Sequence, residues 1–150
     1  QCLNFDGVNG YVKIPNDDSL NLDEITIAFW MKADNLDQAA GLTFKKDVWT
    51  SKLDSYEIQF KGKESGWAGT TDINLNLISV IITANGTGRN IYIDGEEKDS
   101  DSTSFSGSTS ASSSLYFGKL WSKYYKGTLD EVMIFNRSLS SEEVSDLYNS

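Results

Sequence analysis

The sequence predicts an all-β protein, a two-sheet antiparallel β-sandwich closed by a short C-terminal helix. Three observations predict it. Ile25, Ile27, Phe29 and Met31 alternate with Thr26, Ala28, Trp30 and Lys32, the period of two expected of a strand with unlike faces. Turn-forming residues separate many such short runs at regular intervals. Helical periodicity is confined to the last residues.

Taken in order, residues 2–5 and 10–14 read as strands joined by the turn-rich Asp6-Gly7-Val8-Asn9-Gly10. Cys2, beside Leu3 and Phe5, reads as a buried apolar filler. A polar loop then leads into the strand Ile25–Ala33. Residues 41–46 and 55–61 give two more strands, with Trp49 in the loop between them. Gly66-Trp67-Ala68-Gly69 reads as a loop, and Leu77–Ala84 as the most apolar strand. Residues 90–94 and 96–99 form a hairpin about Asp94-Gly95, a pair suited to positive φ. Residues 100–114 are mostly Ser and Thr, either a solvated loop or an exposed edge strand. Strands over 115–118 and 127–136 complete the set. Ser140 then caps a helix, with Glu143 three residues on and Val144, Leu147 and Tyr148 as its apolar stripe.

A chain of 150 residues suits one domain with a real core. Its formal net charge of −9 argues against nucleic acid, whose phosphates need a basic surface. The same balance disfavours anionic membranes, and acidic polysaccharides where no cation bridges; neutral ligands and calcium stay open. No run approaches the roughly 20 apolar residues that span a bilayer. The single Cys excludes an internal disulfide, and the absence of His excludes Ser-His-Asp, Cys-His and His-zinc arrangements. The chain opens Gln1-Cys2-Leu3-Asn4-Phe5 without Met, so a module of a longer protein or a processed form is expected, with flanking domains. The sequons Asn85-Gly86-Thr87 and Asn136-Arg137-Ser138 suit an extracellular location.

Several phrases carry a family resemblance. They are Leu3-Asn4-Phe5-Asp6-Gly7-Val8-Asn9-Gly10-Tyr11-Val12, then Thr26-Ile27-Ala28-Phe29-Trp30-Met31-Lys32, then Ile91-Tyr92-Ile93-Asp94-Gly95, and finally Gly127-Thr128-Leu129-Asp130-Glu131-Val132 running on to Ser140-Ser141-Glu142-Glu143. Their order across nearly the whole chain resembles the laminin-G-like, concanavalin-A-like jelly-roll domains. Leu77-Ile78 stands where that family often has Trp-His, and Met133 where it often has a basic residue. The resemblance implies a jelly-roll domain over 1–150 that serves as a carbohydrate-binding module of a secreted or cell-surface protein. It equally fits an adhesion or spacer domain whose partner is a surface protein.

On strict alternation Asp130 shares a face with the core-directed Val132 and Ile134, where a carboxylate needs a counter-charge. The family resemblance implies structural calcium there, held by Asp6, Asn9 and Asp130 with backbone carbonyls and water. The other reading makes Asp6 an Asx-turn residue and Asp130 a strand-end acceptor. Sugar binding calls for flat aromatic faces, and Trp49, Trp67 and Trp121 each lie among polar or glycine residues, with Tyr124 and Tyr125 extending the last. Loop aromatics also cover the ends of sandwiches. Trp30, mid-strand, reads as packing. Lys46, Asp47, Asp72 and Asn74 are candidate polar partners. Glucanases of the same architecture carry Glu-x-Asp-x-x-Glu on one strand; that spacing is absent, and Glu96-Glu97 and Glu142-Glu143 are adjacent pairs, so no catalysis is expected.

Overall fold

In the computed structural model, which describes residues 2–63, 66–108 and 110–150, the strands are β1 (Leu3–Asp6), β2 (Val12–Ile14), β3 (Ile25–Ala33), β4 (Ala39–Lys45), β5 (Trp49–Asp54), β6 (Glu57–Lys61), β7 (Ala68–Thr70), β8 (Ile78–Asn85), β9 (Gly88–Ile93), β10 (Glu96–Asp101), β11 (Leu115–Phe117), β12 (Lys119–Leu120), β13 (Lys123–Tyr124) and β14 (Lys126–Phe135). Helix α1 (Ser141–Tyr148) closes the chain. The first sheet runs β1-β14-β3-β8-β9-β10 and the second β2-β11-β4-β5-β6-β7; β12 and β13 form a separate hairpin. Every pairing is antiparallel. The sandwich and the terminal helix expected from the sequence are both present.

Alternation sets the layers. Ile25, Ile27, Phe29 and Met31 of β3 and Ile78, Val80 and Ile82 of β8 enter the space between the sheets, meeting Leu42, Leu53, Ile58 and Phe60 from the other side. The opposite face of the first sheet is also buried, because α1 packs Val144 onto Ala28, Ile81 and Tyr92. Burial on both faces is why β8 reads as a nearly continuous apolar run. The capping box at Ser140 and Glu143 satisfies the free donors at the start of α1. Trp30 stacks on Tyr148 of that helix, ring centroids 5.8 Å apart, which fixes it as packing.

Several local expectations are corrected. Trp49 begins β5 and is 1% exposed; its indole N–H donates to Thr43 Oγ1. Polar neighbours in sequence gave it a loop-like setting, but its inward register places it in the core. Tyr125 is likewise buried, its hydroxyl donating to the Thr128 carbonyl. Cys2 is exposed, because β1 is an edge strand that sends only Phe5 inward. The Ser-rich segment is neither a free loop nor an edge strand throughout: Phe105 is buried against Phe60 and anchors it, with its N–H on the Asn85 carbonyl.

Candidate functional site

The outer face of the second sheet holds a row of residues paired directly across strands. Lys13, Tyr116, Phe44, Thr50 and Lys61 stand opposite one another on β2, β11, β4, β5 and β6 and so share one face. The alternation of β11 explains the row, since Leu115 and Phe117 point into the core and leave Tyr116 outside. Over this face lies the β12–β13 hairpin. Its two-residue turn is Trp121-Ser122, with Trp121 at φ 53° and 62% exposed. The indole meets Phe44 with centroids 5.3 Å apart.

Gly41 lets the hairpin lie down. A Cβ there would stand 2.4 Å from the Lys119 carbonyl, a contact with backbone that cannot be relieved by turning a side chain. Gly41→Ala is therefore expected to lift the hairpin from β4 and part Trp121 from Phe44, with a smaller effect on overall stability. The NMR signal of the Trp121 indole, read alongside thermal melting, checks this.

Two adjoining grooves result. One, of about 610 Å³, runs between Tyr124, Tyr116 and Trp121; the other, of about 390 Å³, continues past Phe44 and Trp121 to Trp67. Tyr11 closes one end, 5.8 Å from Tyr116 and 6.3 Å from Tyr124, centroid to centroid. The Lys119 ammonium stands over these rings, 4.4 Å from the Tyr11 centroid and 5.1 Å from Tyr116. At the far end Trp67, 40% exposed, carries Lys52 and Lys61 over its ring at 4.3 and 5.3 Å. Beneath the groove Lys45 is fully buried and donates to Asn16 Oδ1 and the Ser113 carbonyl; burial pushes its pKa down. Ser113 donates in turn to the Lys46 carbonyl, so the end of the Ser-rich segment is pinned as a wall.

Trp67, Trp121 and Tyr124 therefore converge on one face, whereas Trp49 lies in the core below it. Lys46 and Asp47 line the grooves. Asp72 is instead paired with Lys98, and Asn74 accepts the Asn76 N–H. Tyr11, Phe44, Tyr116 and Lys119 were not singled out from sequence. The signal for Tyr116 was present, in its position between two core-facing neighbours.

Asp6, Asn9 and Asp130 do not come together. Asp6 Oδ1 accepts the backbone N–H groups of Val8, Asn9 and Gly10 at 2.8, 3.1 and 3.0 Å, which holds its carboxyl below the usual carboxylate range. Asp6 pairs with Lys126, so about 13 Å of β14 separates its position from Asp130. Asp130 also lies on the other face from the one inferred. A bulge at Glu131, φ 47°, rephases β14, so Val132 and Ile134 point inward while Asp130 stands opposite Trp30. As a joint ligand set the three residues do not fit calcium. Asp130→Asn is accordingly expected to leave the melting temperature unchanged whether calcium is supplied or chelated; a fall seen only with calcium present would contradict this.

The family model for the concanavalin A-like lectin/glucanases superfamily, laminin G type, matches residues 6–145. The chain belongs to this superfamily. No curated protein matches it in sequence. Among solved structures it is similar to the binding domain of botulinum neurotoxin serotype G, with 21% identity and a TM-score of 0.76 over 98% of this chain and 41% of that one. Domain 4 of an extracellular GH43 arabinanase from Geobacillus stearothermophilus, in complex with arabinotriose, gives 20% identity and a TM-score of 0.72 over 95% of this chain and 75% of that one. The binding domain of botulinum neurotoxin DC in complex with SialylT gives 16% identity and a TM-score of 0.72 over 99% and 44%. The superfamily member thus spans less than half of the toxin domains it matches, and likeness at these identities establishes the fold. No helix among the described residues is long and apolar enough to cross a membrane.

Proposed function

We propose that this laminin-G-type domain is a non-catalytic glycan-binding module of a secreted or cell-surface protein, and that it takes the glycan along the groove between Tyr124 and Trp67. Trp121 carries the reading. A bulky residue in the left-handed region costs about 1 kcal/mol that Gly or Asn would avoid. Here it projects an indole face 62% exposed over the groove. Such a face stacks on the C–H side of a pyranose or furanose, and neighbouring hydroxyls and amines fix its orientation. The arabinanase domain of the same fold was solved with arabinotriose, which supports a sugar ligand for this architecture. Hydrolysis with retention needs two carboxyl groups about 5 Å apart. Among the described residues the grooves are lined by one, Asp47.

The test is a panel of immobilised neutral and acidic glycans. Binding to at least one class, lost in Trp121→Ala, supports the reading. Binding to no glycan, with tight binding to a protein, overturns it in favour of an adhesion domain.

A further inference from the structure

We infer that this groove is built for acidic sugars, specifically a glycan carrying ring-borne carboxylates such as a polyuronate. The inference rests on the glycan-binding reading above and names its ligand class. It also revises the expectation that the overall negative charge turns acidic polysaccharides away. Charge is segregated: Lys119 and Lys46 line one groove, and Lys46, Lys61 and Lys63 the other, against a single carboxylate among the described residues, that of Asp47. Local potential in a concave site, rather than net charge, decides which ligand is drawn in.

The state of these lysines supports the assignment. The chain has 22 acidic residues to 13 basic ones, so carboxylate partners are plentiful. Lys52, Arg89 and Arg137 each pair with a carboxylate, and Lys98 with two. Among the described residues no carboxylate lies within ion-pair distance of Lys46, Lys61, Lys63 or Lys119, nor of Lys13, Lys32, Lys45, Lys123 or Lys126, so what sets the four apart is their gathering at the grooves. Three of the four stand against aromatic rings instead, Lys119 over Tyr11, Lys46 over Trp121 at 5.9 Å and Lys61 over Trp67. A ring face holds an ammonium without neutralising it, so the charge stays available to a ligand.

Hydrogen-bond polarity points the same way. An ammonium offers three donors and no acceptor. Neutral sugars present hydroxyls that ask for acceptors as well as donors, whereas a carboxylate only accepts. A uronate ring stacked on Trp121 brings its carboxylate within reach of the Lys46 ammonium, which stands 5.9 Å from the indole centroid. The next ring along can place its own toward Lys119 or Lys61. The pairing of stacking face and flanking ammonium thus repeats along the groove.

The test compares polygalacturonate with its fully methyl-esterified form, which keeps the rings and removes the charge. Dextran sulfate and a single-stranded oligothymidylate serve as non-uronate polyanions. Polygalacturonate is expected to bind on the order of a hundredfold tighter than the ester and at least tenfold tighter than both controls, and to weaken as salt is added. Lys46→Gln and Lys119→Gln should each cost roughly tenfold in polygalacturonate affinity, the loss of one charge-assisted contact. Their double variant should bring it near the level of the ester. Equal binding of the ester and the acid overturns the inference and leaves the glycan reading standing. Binding to neutral glycans of the panel but not to polygalacturonate does the same. Binding of the sulfate or oligothymidylate as tight as that of the uronate also overturns it, marking a general polyanion surface. If no glycan binds at all, both fall.

Discussion

Trp121→Ala is expected to reduce glycan binding by about 30-fold or more while moving the melting temperature by no more than about 2 °C. The two halves of that result have separate causes. Binding falls because a largely exposed stacking face is removed from the centre of the groove, where both halves share it with Phe44 and Lys46. Stability holds because the indole buries little and occupies a backbone conformation with φ 53° that a smaller residue bears more easily. Trp121→Gly sharpens the point, since glycine removes the strain altogether and should melt no lower than the alanine variant. Loss of binding together with a large loss of stability would instead make Trp121 a packing residue.

Trp49→Ala should do the opposite. The side chain is buried among the core residues, and its indole N–H is bonded to Thr43 Oγ1, itself paired with Ser51 Oγ at 2.6 Å. Truncation leaves a large cavity and a broken polar network between β4 and β5, costing about 3–5 kcal/mol. For a domain of this length that is on the order of 10 °C in melting temperature. Urea or thermal unfolding checks the figure. A loss below about 1 kcal/mol would show that the β5 register differs from the one described.

These two tryptophans also show what the sequence carries and what it does not. Each follows a single apolar residue, Val48 or Leu120, in an otherwise polar stretch, so local composition cannot separate them. Trp49 is drawn inward because β5 pairs with β4 and β6 in a register that turns Trp49, Ser51 and Leu53 to the core. Trp121 is thrown outward by a two-residue turn between strands of two residues each, too short to show a period. The long strands were legible because Ile25–Met31 and Ile78–Ala84 hold their phase, and the ordered phrases fixed the family. The Glu131 bulge was invisible, since an inserted residue changes the face of Asp130 without changing the pattern that follows it. The groove was hidden for a different reason. It forms where Tyr11, Phe44, Tyr116 and Trp121, distant along the chain, meet across the second sheet, and where lysines scattered through an acidic sequence gather on one face.

The most direct measurement is a two-dimensional NMR titration that follows the indole N–H signals of the four tryptophans. The ligand is the best-binding glycan of the panel. Trp121 and Trp67 present exposed rings to the groove, Trp49 borders it only with a side chain buried in the core, and Trp30 is stacked under α1, so the four report on distinct surroundings. The Trp121 and Trp67 signals are expected to move with saturation, while those of Trp30 and Trp49 stay in place. Saturable binding that shifts Trp30 alone, or leaves all four still, would put the ligand elsewhere and contradict the groove as the binding site.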